Sequence, residues 1–448
     1  MLTTADRAPG RTEEAPLTLL EPPPRPLGLG DQASLWGNLG ITLTIPVAAA
    51  FVLRPAPDLP PLSLAAAVAA VVLGSAIGSA VLAASAVPGA DTGAPAMVLL
   101  RGLLGRRGSW APTAFNIAQC VGWAAVEILV IADGSAKLLR AVPRTPLVIA
   151  AGALATMLAI WPLGFVRTLR RYAVWLVIAA TIYLFFAVLR NGVHTPQGGS
   201  WRPFWLAVDV VVALPISWAP LAADYARHSR RRGDASGGAF LGFAPACVAY
   251  FLLGVFAITA IPAAGQDPIG ALLTVPAGAV AVALLVLDEM DEAFANLYST
   301  ALSAQNLKPT LDRRAVAVAV GVAATLLALA TDMTQYENFL LLLGSVFVPL
   351  FASLLVDYFL LSRRRWNTGP LAPSRPLMAI PWVAGFIAYQ LLNPGTVPGW
   401  STGWTRLQAA VHLSPPPVWL SASLTSFLVA AAVTVLVAPL ERRAGRIG

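Results

Sequence analysis

Long apolar stretches recur along almost the whole chain, and they constrain its fold more than any other feature. Twelve of them are long enough for the roughly 20 residues that an α-helix needs to cross a bilayer. They cover residues 34–53, 62–87, 111–133, 147–165, 172–189, 204–225, 239–262, 275–305, 315–331, 337–361, 377–393 and 417–438. Only 12% of the residues are charged, whereas soluble domains average about 25%. The sequence therefore predicts an all-α polytopic membrane protein with twelve transmembrane helices.

The segments outside these spans are short, charged or rich in proline. Residues 1–33 include EEAPLTLLEPPPRPLGLG and lack the apolar core and the cleavage site of a signal peptide. We expect a disordered cytoplasmic tail over residues 1–33, a ten-helix core over 34–365, two further helices within 366–438 and a cytoplasmic tail over 439–448.

Basic residues are distributed unevenly between the two sides of the membrane. If the N-terminus is inside, 23 of the 30 Lys and Arg residues fall in cytoplasmic segments. Short loops rich in Lys and Arg remain on the cytoplasmic side. We therefore predict a multi-pass protein of the plasma (cytoplasmic) membrane with both termini in the cytoplasm. The net charge of +8 then reflects topology and anionic lipid headgroups, and we expect no nucleic-acid partner.

Cysteine and histidine residues give no sign of a disulfide or a metal centre. Cys120 and Cys247 both fall within predicted spans, where a small apolar residue is the simplest interpretation. The three histidines have no ligand-like spacing. We predict no bound cofactor and no metal site.

The first and sixth spans contain residues that interrupt helices. GNLGITLTIPVAAA carries Gly37, Gly40 and Pro46, and VVALPISWAPLAADYAR carries Pro215 and Pro220. These spans lead two halves of five spans each, and five is odd, so the second half enters the membrane inverted. Interrupted helices at matching positions of inverted repeats indicate a transporter's binding site at the bilayer midplane. We therefore expect both spans to open within the membrane.

The eighth span carries an acidic cluster in the sequence LDEMDEAFANLYST. At 100° per residue, one half of the helix surface collects a continuous polar stripe. Its members are Asp288, Glu289, Asp291, Glu292, Ala295, Asn296, Ser299, Thr300 and Ser303. Ionised side chains facing lipid are costly, so we expect the stripe to face the interior of the helix bundle.

Several long motifs resemble the nucleobase:cation symporter family, which includes cytosine, purine, hydantoin and hydroxymethylpyrimidine transporters. The motifs are GADTGAPAMVLLRGLLGRRGSWAPTAFNIAQCVGW, ISWAPLAADYARHSRR, ANLYSTALSAQNLKP and YENFLLLLGSVFVPLFASLLVDYFLLSRRR. The resemblance covers about residues 30–365, and the hydroxymethylpyrimidine and cytosine branch is the most similar. It implies a LeuT-type fold with two inverted five-helix repeats plus two C-terminal helices, and a substrate held between spans 1, 3, 6 and 8.

The third span supplies the first predicted substrate contacts. In the family an aromatic residue of this span stacks on the flat substrate, and the matching residue is Trp123 in NIAQCVGWAAVEI. Gln119 and Glu127 lie one helical turn on either side and share its face. Gln119 can donate and accept hydrogen bonds, and an ionised Glu127 suits the N–H groups of an aminopyrimidine or a protonated ring. We predict that all three bind substrate.

The sixth span departs from the family pattern. Hydantoin and cytosine transporters carry an aromatic residue nine positions before the Asp of a D-[FY]-x-R motif, and Pro215 stands there in this chain. We expect Trp218 to replace the missing ring and Ser217 to hydrogen-bond the substrate. The motif itself, Asp224 to Arg227, lies at the cytoplasmic end of the span, where an ion pair or a gate contact is expected.

The eighth span supplies the predicted coupling site. The resemblance implies that Asn296 contacts substrate and ion, with Thr300 on the same stripe. Sodium-coupled hydantoin transporters place a Ser-Thr pair directly before that Asn, whereas Phe294 and Ala295 stand here. The sodium site is thus impaired, while clustered buried acids can carry a proton near neutral pH. We predict ion coupling through Asp288, Glu289, Asp291 and Glu292, with H+ favoured and Na+ still open.

These observations favour a secondary transporter, not an enzyme, that imports a nucleobase-like heterocycle such as hydroxymethylpyrimidine, cytosine or a purine by alternating access. One alternative is a membrane-embedded enzyme that binds a divalent metal through DEMDE, but the sequence shows no second acid cluster on another helix. Another is a channel, which would need more polar spans than the sequence shows. The sequence leaves open the substrate, the coupling ion and the oligomeric state.

Overall fold

The computed structural model describes residues 23–139, 141–160, 163–261 and 267–443, and within these ranges the chain is helical with two isolated β-bridges. The helices are α1 Leu29–Asn38, α2 Thr44–Leu53, α3 Leu64–Thr92, α4 Ala96–Gly108, α5 Trp110–Leu138, α6 Arg144–Ile160, α7 Leu163–Leu189, α8 Phe204–Ala226, α9 Arg232–Ala260, α10 Pro268–Thr274, α11 Gly278–Leu307, α12 Arg313–Ala330, α13 Tyr336–Leu355, α14 Ala379–Leu392, α15 Trp400–Ala410 and α16 Ala422–Arg443. Val356–Leu361 extend α13 in π-helical geometry.

Each predicted span coincides with a helix or, for the first span, with the pair α1 and α2. Among the described residues, seven helices are long and apolar enough to cross a membrane: α3, α5, α8, α9, α12, α13 and α16. The prediction of an all-α membrane protein is confirmed, and the count of twelve spans remains a prediction.

Residues 23–33, which the sequence assigns to the N-terminal tail, contact the helix bundle. Helix α1 starts at Leu29, the Arg25 guanidinium donates to the Ala90 carbonyl over 2.9 Å, and the Leu27 N–H donates to the His228 carbonyl over 3.0 Å. These polar contacts hold residues 23–33 against the bundle. The rest of the predicted N-terminal tail, and residues 444–448 of the C-terminal tail, lie outside the described residues.

The first span is interrupted, as predicted. Helix α1 ends at Asn38, α2 begins at Thr44, and residues 39–43, here termed the break, separate them. Pro46 is the third residue of α2. Backbone N–H groups in the first turn of a helix have no intrahelical acceptor, so the missing N–H of Pro46 costs no hydrogen bond. At Gly40, a Cβ would lie 2.8 Å from the Ala246 Cβ, so glycine lets the break pack closely on α9.

The sixth span is continuous, and the prediction that it opens is wrong. Helix α8 runs through Pro215 and Pro220 without interruption and is buried along most of its length. A Cβ at Gly78 of α3 would lie 2.9 Å from the Pro215 Cγ and 3.0 Å from the Val212 carbonyl. This close packing shields the α8 backbone from lipid, which is the condition under which proline is tolerated inside a membrane helix.

Helix packing follows the predicted inverted repeat, in which span n of the first half corresponds to span n+5 of the second. Spans 1 and 7 pack together through α1, α2 and α9, and the corresponding spans 6 and 2 pack together through α8 and α3. The pairs α5–α12 and α11–α6 correspond in the same way. The C-terminal α14 and α16 pack on each other and on α13, outside this pattern.

Candidate substrate and cation site

Three glutamates from two helices meet inside the bundle. Glu127 of α5 and Glu289 and Glu292 of α11 each offer a carboxylate oxygen, and these oxygens lie within 4.8 Å of one another. All three side chains are buried, with at most 2% of their surface exposed. The polar stripe of α11 thus faces the interior, as predicted, at the level of these acids. We call Glu127, Glu289 and Glu292 the acidic triad.

Glu289 joins the acidic triad to the break in the first span. The Thr42 hydroxyl lies 3.0 Å from each Glu289 carboxylate oxygen, and the Leu43 backbone N–H donates to Glu289 Oε1. Leu43 immediately precedes α2, so its N–H is one of the donors that the helix itself cannot satisfy. Glu289 therefore caps α2 from another helix.

The charge of the acidic triad is not balanced within the described ranges. The ion pairs found there involve Asp133, Asp267 and Asp357, and none of them reaches the triad. Two ionised carboxylates 4.8 Å apart repel each other by about 3 kcal/mol at an effective dielectric constant of about 20. Three buried negative charges at this spacing require a proton or a bound cation, and the carboxylates lie close enough together to hold a metal ion.

Trp123 lies one helical turn before Glu127, and 6% of its surface is exposed. Its ring packs edge to face on Tyr336, at 6.0 Å between centroids, and on Phe339, at 5.4 Å. The Tyr336 hydroxyl donates to the Thr44 carbonyl over 3.3 Å. Trp123 and the first residue of α2 thus share Tyr336 as a neighbour, and Trp123 lies one helical turn from Glu127 of the acidic triad.

Gln119 connects α5 to α8. Its amide nitrogen donates to Asn116 Oδ1 over 2.9 Å and to the Ser217 carbonyl over 3.1 Å. The Ser217 hydroxyl turns back to the Leu214 carbonyl of its own helix, 2.6 Å away. The predicted residues Gln119 and Ser217 are therefore in contact, through the serine backbone instead of its hydroxyl.

Trp218 lies in a different aromatic group from Trp123. Its ring packs on Trp36, at 6.3 Å between centroids, and on Phe243, at 6.5 Å. No ring contact joins Trp123 and Trp218 in the part of the chain described above. The predicted role of Trp218 as a second wall of the substrate site remains a prediction.

Among the remaining predicted residues of α11, Asn296 and Thr300 make contacts within the helix, whereas Asp291 contacts α1. The Asn296 amide donates to the Glu292 carbonyl over 3.1 Å, and the Thr300 hydroxyl donates to the Asn296 carbonyl over 2.8 Å. Asp291 accepts a hydrogen bond from the Asn38 amide at the end of α1, 3.1 Å away, and Asp288 is half-buried. The four predicted coupling acids therefore separate. Glu289 and Glu292 belong to the triad, Asp291 is hydrogen-bonded to α1, and Asp288 is half-buried outside the triad.

The C-terminal end of α8 contacts a short helix, and the ion pair or gate contact expected there remains a prediction. Asp224 is buried, and its carboxylate accepts a hydrogen bond from the Ala96 N–H over 2.8 Å at the start of α4. Arg101 of the same helix is hydrogen-bonded to Asn306 at the end of α11, with distances of 2.7 and 3.0 Å. Helix α4 thus ties the C-terminal ends of α8 and α11 together.

Sequence reasoning missed Thr42, Leu43 and Tyr336. The polar residues between Gly40 and Pro46 could have indicated Thr42, because polar side chains are rare in an apolar span. Leu43 contributes only its backbone, and no residue type encodes that. The sequence also did not indicate that α5 supplies an acid to the triad, because α5 contributes the single residue Glu127 and not a cluster of acids.

Comparison with known proteins identifies the family. Residues 59–375 match the family model described as permease for cytosine/purines, uracil, thiamine and allantoin. The chain belongs to this permease family. Its members are transporters, so the prediction that the chain is not an enzyme is confirmed and the membrane-embedded enzyme alternative is set aside. A search of curated proteins finds no match.

Solved structures share the fold over almost the whole chain. Mhp1, a nucleobase-cation-symport-1 family transporter, in a closed conformation with bromovinylhydantoin bound, is 17% identical, with a TM-score of 0.74 over 97% of this chain and 96% of that chain. Inward-facing Mhp1 matches with the same identity and coverage and a TM-score of 0.69. A manganese transporter of Eremococcus coleocola is 12% identical, with a TM-score of 0.56 over 95% of this chain and 98% of that chain. The predicted LeuT-type fold is confirmed.

Proposed function

We propose that the protein is a cation-coupled permease that imports a flat, nucleobase-like heterocycle by alternating access. Hydroxymethylpyrimidine, cytosine and purines are the substrates that the sequence favours. One observation carries the proposal: the acidic triad bridges α5 and α11, and Glu289 of the triad caps the interrupted first span. Substrate and ion contacts to the triad therefore act through Glu289 on the interrupted first span, which is the element best suited to move.

The substrate lies against Trp123 in this proposal. Stacking on an aromatic ring suits any planar heterocycle and adds about 0.5 to 1.5 kcal/mol beyond the burial of area. The family description names cytosine, purines and uracil, all of them flat rings, and solved Mhp1 carries bromovinylhydantoin. The proposed substrate contacts are Gln119, Trp123, Glu127, Ser217, Trp218, Asn296 and Thr300.

The coupling ion in this proposal is a proton, and Glu289 carries it. Phe294 and Ala295 have no side-chain oxygen for sodium. Ionised Glu289 accepts hydrogen bonds from Thr42 and Leu43, whereas a protonated carboxyl offers a weaker acceptor and a competing O–H. Protonation therefore loosens the tie between α11 and the break. Asp288, Asp291 and Glu292 are the alternative carriers if Glu289 does not carry the proton.

The proposed orientation places both termini in the cytoplasm of a cell whose plasma (cytoplasmic) membrane holds the protein. The basic residues support it, with 23 of 30 in segments assigned to the inside. The acidic triad then lies between the two faces, and Asp224 with α4 lies at the cytoplasmic face.

Transport in proteoliposomes tests the proposal. An inside-alkaline pH gradient without sodium should drive accumulation of radiolabelled substrate from a panel of cytosine, purines, hydantoins and hydroxymethylpyrimidine, and a protonophore should abolish it. Trp123→Ala should weaken binding in the purified, correctly inserted protein. Accumulation driven by a sodium gradient at symmetrical pH, unaffected by the protonophore, would refute proton coupling.

Two substitutions on one helix identify the carrier. Glu289→Gln should retain substrate exchange and lose concentrative uptake, since glutamine cannot exchange a proton. Asp288→Asn, at the preceding residue and outside the acidic triad, should retain both. If Asp288→Asn loses concentrative uptake and Glu289→Gln keeps it, the proposed carrier is wrong. The same uptake assay with an imposed Mn²⁺ gradient in place of the pH gradient tests whether the carboxylates hold a divalent metal instead of a proton.

A further inference from the structure

The buried polar atoms of α5 and of the acidic triad that have no partner are nearly all hydrogen-bond acceptors. Within the described ranges they are both oxygens of Glu127, Oε1 of Glu292 and Oε1 of Gln119, and the single donor among them is the Trp123 indole Nε1. All four side chains are more than nine-tenths buried. Buried polar groups in native proteins are normally satisfied, so these atoms indicate a ligand that supplies several N–H donors.

The orientation of Gln119 is fixed by its neighbours. Its amide nitrogen faces two acceptors, Asn116 Oδ1 and the Ser217 carbonyl, and Asn116 has its own donor committed to the Ser303 hydroxyl over 2.8 Å. A flipped amide would place an oxygen against both acceptors. The free end of Gln119 is therefore its oxygen.

Glu289 is already committed to the break. Thr42 and Leu43 donate to it, so the free acceptors of the acidic triad belong to Glu127 and Glu292. Eight residues separate Gln119 from Glu127 on one helical face, a rise of about 12 Å. Trp123 lies midway between them on that face, so a ring stacked on it has acceptors on both sides.

We propose that the site selects an amidine-type ring, in which an amino group adjoins a protonated ring nitrogen, over a ring with two carbonyl groups. Two adjacent N–H donors and a positive charge match the paired oxygens of one carboxylate. A dioxo ring of the same shape would instead direct its carbonyl oxygens at Glu127, Glu292 or Gln119. This inference rests on the proposed function, because it names the substrate class of the same site.

Binding to the purified, full-length wild-type protein in nanodiscs provides the test, with 2,4-diaminopyrimidine and uracil as probes of equal size. Diaminopyrimidine should bind at least about 10-fold more tightly, the factor expected when a mismatched ring leaves one buried acceptor unpaired. Uracil binding as tightly as diaminopyrimidine, or more tightly, overturns the inference while the proposed function stands. Failure of both rings and of the wider panel to bind overturns the proposed function as well.

Variants show which acid distinguishes the two rings. Glu127→Gln and, independently, Glu292→Gln should reduce the preference for diaminopyrimidine by about 10-fold while uracil binding changes little. Glu441→Gln is the matched control, because Glu441 is also a buried acid with two unpaired oxygens but lies in α16. An unchanged preference in both triad variants overturns the inference, and the wild-type comparison remains decisive if either variant fails to fold.

Discussion

Thr42→Val should loosen the break without changing its shape, because valine replaces one hydroxyl by a methyl group of similar size. The Thr42 hydroxyl lies 3.0 Å from both oxygens of Glu289, and its oxygen accepts the Thr44 N–H over 3.1 Å. A hydrogen bond to a charged group contributes about 1.5 to 3 kcal/mol net. We take about 2 kcal/mol as the expected loss, because Glu289 keeps its bond to Leu43.

Hydrogen–deuterium exchange in nanodiscs measures this loss directly. A local opening free energy lower by about 2 kcal/mol corresponds to about 30-fold faster exchange at the backbone amide of Leu43, which donates to Glu289. Concentrative uptake should fall in the same variant, because the tie between Glu289 and the break is weaker in it.

Thr44→Val is the matched control. The Thr44 hydroxyl contacts the Thr42 hydroxyl at 2.8 Å and makes no hydrogen bond to Glu289 among the described contacts. Its removal should cost less than about 1 kcal/mol, or up to about fivefold in exchange. Equal acceleration in both variants, or none in Thr42→Val, would refute the conclusion that Glu289 holds the break through Thr42.

Three further predictions concern the side of the membrane that the basic residues assign to the cytoplasm. A reporter fused after Gly448 should be active only in the cytoplasm, and activity only outside the cell would contradict the predicted topology. Arg375→Met should lower stability by about 3 to 5 kcal/mol in thermal or denaturant unfolding, because it strands Asp357, which is 1% exposed and pairs with it at 2.8 Å; Asp357→Leu added to it should restore most of the loss. Burial lowers the pKa of His228 from 6.5 to about 4, so as the pH falls the unfolded state binds the proton before the folded state does. The free energy of unfolding should therefore be greatest above pH 6.5 and fall by up to about 3 kcal/mol as the pH drops to 4. A His228→Gln variant that keeps the same pH dependence would refute this.

The sequence by itself determined the class of protein, the positions of the helices and the inward direction of the acidic stripe. A bilayer accepts only long apolar helices, so hydropathy locates them, although α7 and α9 begin nine and seven residues before the predicted spans at 172 and 239. The charges of α11 had to face inward, because lipid would leave them unpaired. The break before Thr44 followed from Gly40 and Pro46, which act through their own backbone.

Only the tertiary structure decided which residues meet. Helical periodicity shows which face a side chain shares but not which helix lies opposite, so the approach of Glu127 to Glu289 and Glu292 was not visible in the sequence. The same reason applies to Trp218, which packs on Trp36 and not beside Trp123. The continuity of α8 depended on neighbours as well, because a proline opens a membrane helix only where packing leaves room for it, and the close contact with α3 leaves none.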